Sequence, residues 1–346
     1  VTGADRSVWL EHPDRPVLSD SFALGFADEV RRHADQFEAA MSHLGGLGYV
    51  NAVLLDCAET FMLEVIQAKR IVGRDGLAEL AAGDFRAFCQ RVTGIDDEPY
   101  FLQVIVNPFH PFDSEALCRL YALHRPEALI EKGNIFEQLF KKATASALSF
   151  GDPISLLTTF FAANPTLRGP GIALLMSTAF PEQPSNRTNP RLVRWSATLS
   201  PPVEFGRLFS ASFAVPRGRL LDALDVMLPA FQRNDGGDLV FTLRFVKRSS
   251  GLLSFTRFED NVVIDLDGFW STASQYAYDR VHRAMATSGI PFGQHPGKIG
   301  RIDKTSMVAD FGDKLLRWKD ARRALLAPGL IDHFGGRALS DWGMMD

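Results

Sequence analysis

The run from Asp35 to Leu55 constrains this chain more than any other stretch. Phe37, Ala40, Met41 and Leu44 recur at helical spacing, Gly45, Gly46 and Gly48 follow as a turn, and Val50 to Leu55 is a short apolar run ended by Asp56. The order predicts a helix, a glycine-rich turn and a buried strand. Apolar residues three and four apart share one helix face, and an unbroken apolar run of this length suits a strand covered on both faces. A phosphate-cradling nucleotide loop runs the other way, from strand through glycines into a helix, so that the helix N-terminus meets the anion. These glycines therefore do not present a helix N-terminus to a diphosphate.

Length and composition bound the rest. A chain of 346 residues accommodates two domains or one large one. The hydrophobic and charged fractions, 46% and 23%, are those of a soluble globular protein. A net charge of -4 gives no reason to expect a nucleic acid or an anionic membrane as partner. No apolar run reaches the length of a membrane span, and no charged-then-apolar signal segment opens the chain. Cys57, Cys89 and Cys118 are odd in number and lack metal-ligand or redox spacing, which fits reduced thiols in a cytoplasmic protein. Phe is abundant (27) and Tyr scarce (5), which fits a Phe-rich core or an apolar substrate pocket.

Residues 1–34 are polar and punctuated by Pro13, Pro16 and Gly25, and read as a loop-rich approach. Phe61 to Val65 reads as a second strand, and the polar turn of composition at Lys69 to Asp75 marks a domain boundary. Leu77 to Val92 is helical, Tyr100 to Val106 is a strand, and residues 112–182 read as mostly helical, with Phe150 to Phe161 either a buried helix or a pocket-lining lid. Arg194 to Leu199, Phe205 to Val215, Asp238 to Val246 and Asn261 to Leu266 are strand-like. Helices are expected at 218–231, 271–288 and 310–326, with a turn at Asp235-Gly236-Gly237. Strands with helices on one side give an antiparallel sheet in an α+β fold. Asn186-Arg187-Thr188 matches a glycosylation acceptor, read as chance without a secretion signal.

Period-two alternation puts Leu239, Phe241, Leu243 and Phe245 on the face of their strand that belongs against helices. Val240, Thr242, Arg244 and Val246 share the other face, where Arg244 is either exposed to solvent or aimed into a site. Arg is rarely buried without a partner, so exposure is the better reading from this strand alone. His295-Pro296-Gly297-Lys298 lies in a loop stiffened by proline and glycine, so Lys298 is either held in a definite place or a surface lysine. Asp265 and Asp267 read as turn and capping residues at a strand end. No zinc-binding helix and no nucleophile elbow is present. The residues alone carry the reading as far as a soluble α+β enzyme.

Three separated segments resemble the FAD-linked oxidases of the vanillyl-alcohol-oxidase type, in the sugar-lactone and alditol oxidase branch. The first is the glycine-rich turn at 45–50. The second runs from Phe213-Ala214-Val215-Pro216 to Leu243-Arg244-Phe245-Val246 and Leu252-Leu253-Ser254. The third is His295-Pro296-Gly297-Lys298, similar to the family's His-Trp-Gly-Lys, followed by Trp318-Lys319-Asp320-Ala321-Arg322-Arg323 through Pro328-Gly329-Leu330. Two departures stand out. Thr242 occupies the place of the family's strand glutamate, and Pro296 that of its aromatic residue. The first half of the flavin domain, with its phosphate loop and covalent-flavin histidine, has no counterpart here, and the opening Val1-Thr2-Gly3 suits a processed or truncated product.

The resemblance implies an α+β chain made of the end of a PCMH-type FAD-binding domain, residues 1–70, and a substrate (cap) domain, residues 71–346, whose segment from about 290 returns toward the flavin. It implies FAD as cofactor, contacted by backbone at Gly45, Gly48 and Val50. It implies oxidation of an alcohol, polyol or lactone by hydride transfer to the flavin, with O2 or another acceptor reoxidising it. Arg244 or Lys298 would stabilise the reduced anionic flavin, Lys298 or His295 would take the hydroxyl proton, and Thr242 would touch the substrate. A sterol or other apolar alcohol is an alternative substrate. A cofactor-free α+β binding module that kept the fold and lost the catalytic half is an alternative of a different class.

Overall fold

The computed structural model describes residues 2–3, 6–57, 59, 61–124, 164–179, 182–186, 192–193 and 208–345. In chain order the strands are β1 (Thr2–Gly3), β2 (Arg6–Glu11), β3 (Glu29–Arg32), β4 (Met62–Ile71), β5 (Phe101–Val106), β6 (Glu115–His124), β7 (Leu192–Val193), β8 (Leu208–Pro216), β9 (Leu239–Lys247), β10 (Asp260–Phe269) and β11 (Gly293–Gln294). The α-helices are α1 (Asp20–Ala23), α2 (Ala34–Met41), α3 (Gly73–Ala82), α4 (Phe85–Thr93), α5 (Arg168–Ala179), α6 (Leu220–Gln232), α7 (Thr272–Thr287), α8 (Lys304–Phe311), α9 (Asp313–Leu325) and α10 (Arg337–Asp341). The expected α+β architecture, an antiparallel sheet flanked by helices, is present.

The chain divides into two compact units. The first collects three stretches, Val1–Cys57, Lys247–Glu259 and Gly293–Asp346. It holds a small sheet in which β2 pairs antiparallel with β1 and parallel with β3. Its core gathers Leu47, Leu252, Leu253, Leu315 and Trp318, all but excluded from solvent. The Asp303 side chain caps α8 by accepting from the Ser306 N–H, and Ser306 Oγ accepts in return from the Asp303 N–H.

The second unit, Ala58–Val246 with Asp260–Phe292, is built on a sheet whose strands run β8, β10, β9, β5, β6, β4, β7. The pairings of β8 with β10, β9 with β5, β5 with β6, β6 with β4 and β4 with β7 are antiparallel. One face carries α4, α6 and α7, as the alternation in β9 requires: Phe241 meets Phe231 of α6 with ring centroids 5.3 Å apart, and Phe245 meets Phe85 of α4 at 5.1 Å. On the same face Phe213 of β8 packs on Tyr278 of α7 at 5.9 Å.

Several expectations are corrected. Residues 1–34 are not mainly loop; they contain β1, β2 and β3. Val50 to Leu55 is not a buried strand but irregular and exposed, with Val53 at 69% and Leu55 at 73%. An apolar run specifies burial only where a partner surface covers it, and none among the described residues does so. Residues 77–92 form two helices, because Gly83 at φ +93° closes α3 in the left-handed region and α4 restarts two residues on. Within 112–182, Glu115–His124 is a strand in mid-sheet. The Phe150–Phe161 segment, the Arg194–Leu199 strand and most of the glycosylation motif lie outside the described residues.

Candidate functional site

Register assembles a row of polar side chains across the second unit's sheet, on the face away from Phe241 and Phe213. In antiparallel ladders, residues directly opposite one another share a face. Ser212 on β8 lies opposite Asp265 on β10. Arg244 on β9 lies opposite Gln103 on β5, which lies opposite Arg119 on β6, which lies opposite Gln67 on β4. The side chains join the pairs. Arg244 donates through Nε, at 2.7 Å, and through a terminal nitrogen to Asp265 Oδ2. Ser212 Oγ donates to Asp265 Oδ1. Arg119 Nε donates to Gln67 Oε1 at 2.8 Å, and its terminal nitrogen approaches Gln103 Oε1 at 3.5 Å.

The row is buried at both ends, at Gln67 and at Asp265, and more open in the middle. Asp265 and Ser212 are buried, whereas the Arg244 side chain keeps 36% of its surface. Arg244 is thus neither a free surface arginine nor an unpartnered buried one: a strand neighbour supplies its counter-ion. Asp265 and Asp267 are corrected as well. They sit inside β10 rather than at a turn, and Asp267 Oδ1 accepts from Ser210 Oγ at 2.7 Å. The signal that would have found them was their i, i+2 spacing, which puts both carboxylates on one sheet face.

Apolar rows bound the polar one. On one side Phe101 and Tyr121 lie 5.4 Å apart beside Val65. On the other, Ile105 and Leu117 pack against Ile172 and Met176 of α5. Thr242, the expected substrate contact, shares the face of Arg244 but is 2% exposed and lies opposite Ile105.

The other expected site residues belong to the first unit. Gly45 adopts φ +76° and Gly48 φ +104°, and Leu44 itself sits at φ +51°. The turn is clamped from α9. Trp318 Nε1 donates to Ser42 O at 3.0 Å, and buried Arg322 donates through Nε to Gly46 O at 3.0 Å. A Cβ on Gly46 would lie 2.7 Å from the Trp318 ring, so only glycine fits there. The loop at 251–255 joins the same group: the Leu252 N–H donates to Glu38 O at 3.1 Å and the Leu253 N–H to Ser42 Oγ at 3.0 Å. Phe255 in turn packs at a tilt against the His295 ring, with centroids 4.7 Å apart.

His295 to Lys298 is a tight turn. The Lys298 N–H donates to His295 O at 3.1 Å, with Pro296 and Gly297 as central residues. The Gly297 N–H donates to His295 Nδ1 at 3.0 Å, so the neutral ring carries its proton on Nε2. His43 is built alike: Gly45 N–H donates to its Nδ1 at 3.1 Å and Gly46 N–H to its carbonyl at 2.9 Å. Burial pulls the His43 pKa below its ordinary value, opposed by a hydrogen bond with the Gly48 backbone. Gly45, Gly48, Val50, His295 and Lys298 thus fall in one unit and Thr242 and Arg244 in the other.

A groove of about 610 Å³ in the first unit is lined by β2, α2 and the exposed run, with Val50, Val53 and Leu54 on one wall and Leu10, Phe37 and Met41 on another. Tested against FAD, this groove suits a flat apolar ring. It does not suit a diphosphate, because Glu11, Asp14 and Glu38 outnumber Arg15 along it. Among the described residues no cluster suited to a metal ion is present, and no helix is long and apolar enough to cross a membrane.

Neither a family model nor a curated protein matches the chain. Among solved structures it is similar to a xylooligosaccharide oxidase from Myceliophthora thermophila C1, at 13% identity and a TM-score of 0.39, covering 80% of this chain and 54% of that one. It is also similar to 6-hydroxy-D-nicotine oxidase from Arthrobacter nicotinovorans, at 11% identity and 0.43, covering 84% and 58%. A third is GilR, described as an oxidoreductase of gilvocarcin biosynthesis, at 11% and 0.38, covering 82% and 57%. The chain spans a little over half the length of these structures. Likeness at this level establishes neither a family nor an activity.

Proposed function

We propose that this chain is the substrate-side and cofactor-edge part of an FAD-dependent oxidoreductase acting on a small CH–OH donor. The observation that carries the reading is convergence. The Gly45–Gly48 turn, the Leu252-Leu253-Ser254 loop, the His295–Lys298 turn and the Trp318–Arg323 helix are far apart in sequence, and each resembles a stretch of one oxidase family. They pack on one another in one unit through Trp318, Arg322, Leu253 and Phe255. A shared fold alone explains some of this meeting; the absence of room for a Cβ at Gly46 and the ring-held turn at His295 show that the motif residues themselves make the contacts.

In this reading the boundary expected at residue 70 moves to Cys57, because β4 belongs to the second unit's sheet; residues 1–57 and the return from about 290 form the flavin edge, and the second unit's sheet is the substrate side. When bound, FAD would supply the hydride acceptor. The chain's own residues would do the rest. The side-chain-free edge at Gly45 and the groove at Val50 would lie along the ring. Arg244, fixed by Asp265, would present positive charge toward an oxyanion. His295, with Nδ1 accepting from the Gly297 N–H and its proton on Nε2, would donate from Nε2 to the substrate oxygen, and Lys298, at the end of the His295 turn, would in its neutral form take the hydroxyl proton or otherwise orient the hydroxyl. Polyols and lactones are the first substrates to test, with apolar alcohols second because Thr242 stands where a carboxylate is expected. O2 or another acceptor would complete the cycle.

The test is spectroscopic. The purified protein should show flavin absorbance or take up added FAD, and bleach on anaerobic addition of substrate from a panel of polyols, aldonolactones and sterols. A colourless protein that takes up no FAD overturns the reading in favour of a cofactor-free module. If FAD binds and Arg244→Ala and Lys298→Ala are reduced at the normal rate, the residue assignments fall while the cofactor assignment stands.

A further inference from the structure

The sheet of the second unit carries a cavity on the far side of Leu117 from the polar row. It is a crevice of about 330 Å³ between α5 and the strands β4 and β6. Ligand pockets run from about 300 to 1,000 Å³, so this one matches a molecule of amino-acid size and is too small for a dinucleotide.

Helical spacing and strand register open it together. Ile172 and Met176, four residues apart on α5, pack on Ile105 and Leu117 of the sheet. Ala173 and Ser177 follow one residue later in each turn and form the next stripe round the helix. Their short side chains leave space over the sheet, with Leu117 as floor and Leu174 and Met176 as apolar wall. On the sheet, Lys69 of β4 lies opposite Leu117 of β6, and Ile71 lies opposite Glu115. Opposed residues and residues two apart share a face, so Lys69, Leu117 and Glu115 stand on the face that α5 covers. Lys69 and Glu115 are diagonal neighbours across the ladder, about 7–8 Å apart at the backbone. A compact ligand that carries its two charges close together can bridge such a pair through one hydrogen bond at each end.

The charges point to the same occupant. Lys69 Nζ donates to Ser177 O at 2.5 Å, a carbonyl in the last turn of α5. An ammonium has three donors, so this bond fixes Lys69 in place without using its whole capacity. Glu115 is exposed at the mouth. Glu182, on the edge of β4, already accepts from the Lys69 N–H at 3.1 Å and from the Arg70 side chain at 2.8 Å. The lining therefore presents one cation, one anion and an apolar floor.

We infer that this crevice binds a free apolar α-amino acid. Lys69 takes its carboxylate, Glu115 takes its ammonium, and Leu117, Leu174 and Met176 receive its side chain. A carboxylate or an amine of the same shape answers only one of the two charges. Neither the flavin edge nor Arg244 takes part, so the inference does not rest on the oxidase reading.

Calorimetry on the protein as purified tests it, with L-leucine as probe. Isocaproate, which lacks the amino group, and isoamylamine, which lacks the carboxylate, are the half-ligands. Leucine should bind saturably, and each half-ligand about tenfold or more weakly. Glu115→Gln should bring leucine down to the level of isocaproate and leave isocaproate no weaker than before. Lys69→Met should bring leucine down to the level of isoamylamine. A variant that merely loosened the crevice would weaken all three compounds together. Ala173→Phe should fill the crevice and abolish leucine binding. Circular dichroism and urea midpoints establish that each variant is folded. Should Lys69→Met unfold through the loss of its bond to α5, Glu115→Gln and Ala173→Phe, both at exposed positions, carry the test. No saturable leucine binding, a half-ligand that binds the parent as tightly as leucine, or unchanged leucine affinity in the folded variants overturns the inference.

Discussion

Replacing Asp265 by Ala strips Arg244 of its counter-ion and Ser212 of its acceptor in one step. Breaking a buried charge pair costs about 3 kcal/mol at the low end of the usual range, which applies because Arg244 still reaches solvent. Asp265→Asn keeps the shape and one acceptor oxygen and should cost about half as much. Urea midpoints at constant slope measure both. An Asp265→Ala variant as stable as the parent would mean the pair contributes nothing. The thiols divide in the same manner. Burial pushes the Cys89 and Cys118 thiols up to about 12, with Glu98 the lesser cause at Cys89 and Cys89 a lesser cause at Cys118, while Cys57 is exposed. At neutral pH iodoacetamide should therefore add once to the native protein and three times to the unfolded one, as read by intact mass. At His43 the folded pKa is lowered, so the unfolded chain binds the proton more tightly. The stability this neutral ring provides is complete above its unfolded value near 6.5 and is lost as pH falls below it. His43→Asn retains an acceptor for the Gly45 N–H and should flatten that part of the pH profile; an unchanged profile would assign the pH dependence elsewhere.

At the level of elements, local pattern revealed what local forces decide. The alternation in Leu239 to Val246 gave both the strand and its helix-facing side, and Asp235-Gly236-Gly237 gave the turn before it. Val50 to Leu55 misled because hydrophobicity reports a demand for cover rather than its presence. Glu115 to His124 was hidden in a long stretch whose helical spacing competed with a period of two, and long-range pairing with β4 and β5 decides it. Close approach decides Gly268 in β10. A Cβ there would stand 2.2 Å from Asp238 O, a main-chain atom that cannot swing aside. Gly268→Ala should destabilise by about 1–3 kcal/mol through overpacking. Gly218, with nothing within 4 Å, is the control, and Gly218→Ala should change stability by no more than about 0.5 kcal/mol. Equal denaturation midpoints for the two variants would refute the close approach.

For the whole molecule, the sequence disclosed residue types and concealed their partners. Arg244 was visible as a singular arginine on a sheet face, but Gln103, Arg119 and Gln67 become its neighbours only through three registers spanning nearly the length of the second unit. The first unit was harder still, because it draws on three separated stretches, and no local window holds more than one. Leu253 shows the consequence. It belongs to a short stretch between β9 and β10 that polar neighbours make look like a surface loop, yet it is 3% exposed, clusters with Leu47 and Trp318, and donates its N–H to Ser42 Oγ. Leu253→Ala should therefore cost about 2–5 kcal/mol, the range for a buried leucine and not for a loop tip. Stability in a protein of this size is distributed over cooperative regions. The loss should consequently appear first where Leu253 packs. Hydrogen exchange should rise in the peptides around Ser42 to Leu47 and Leu315 to Leu325, while β5 and β6, which hold the arginine row, keep their protection. A uniform rise across all these peptides would show that the molecule opens as one region, and that the two groups of site residues share a single stability.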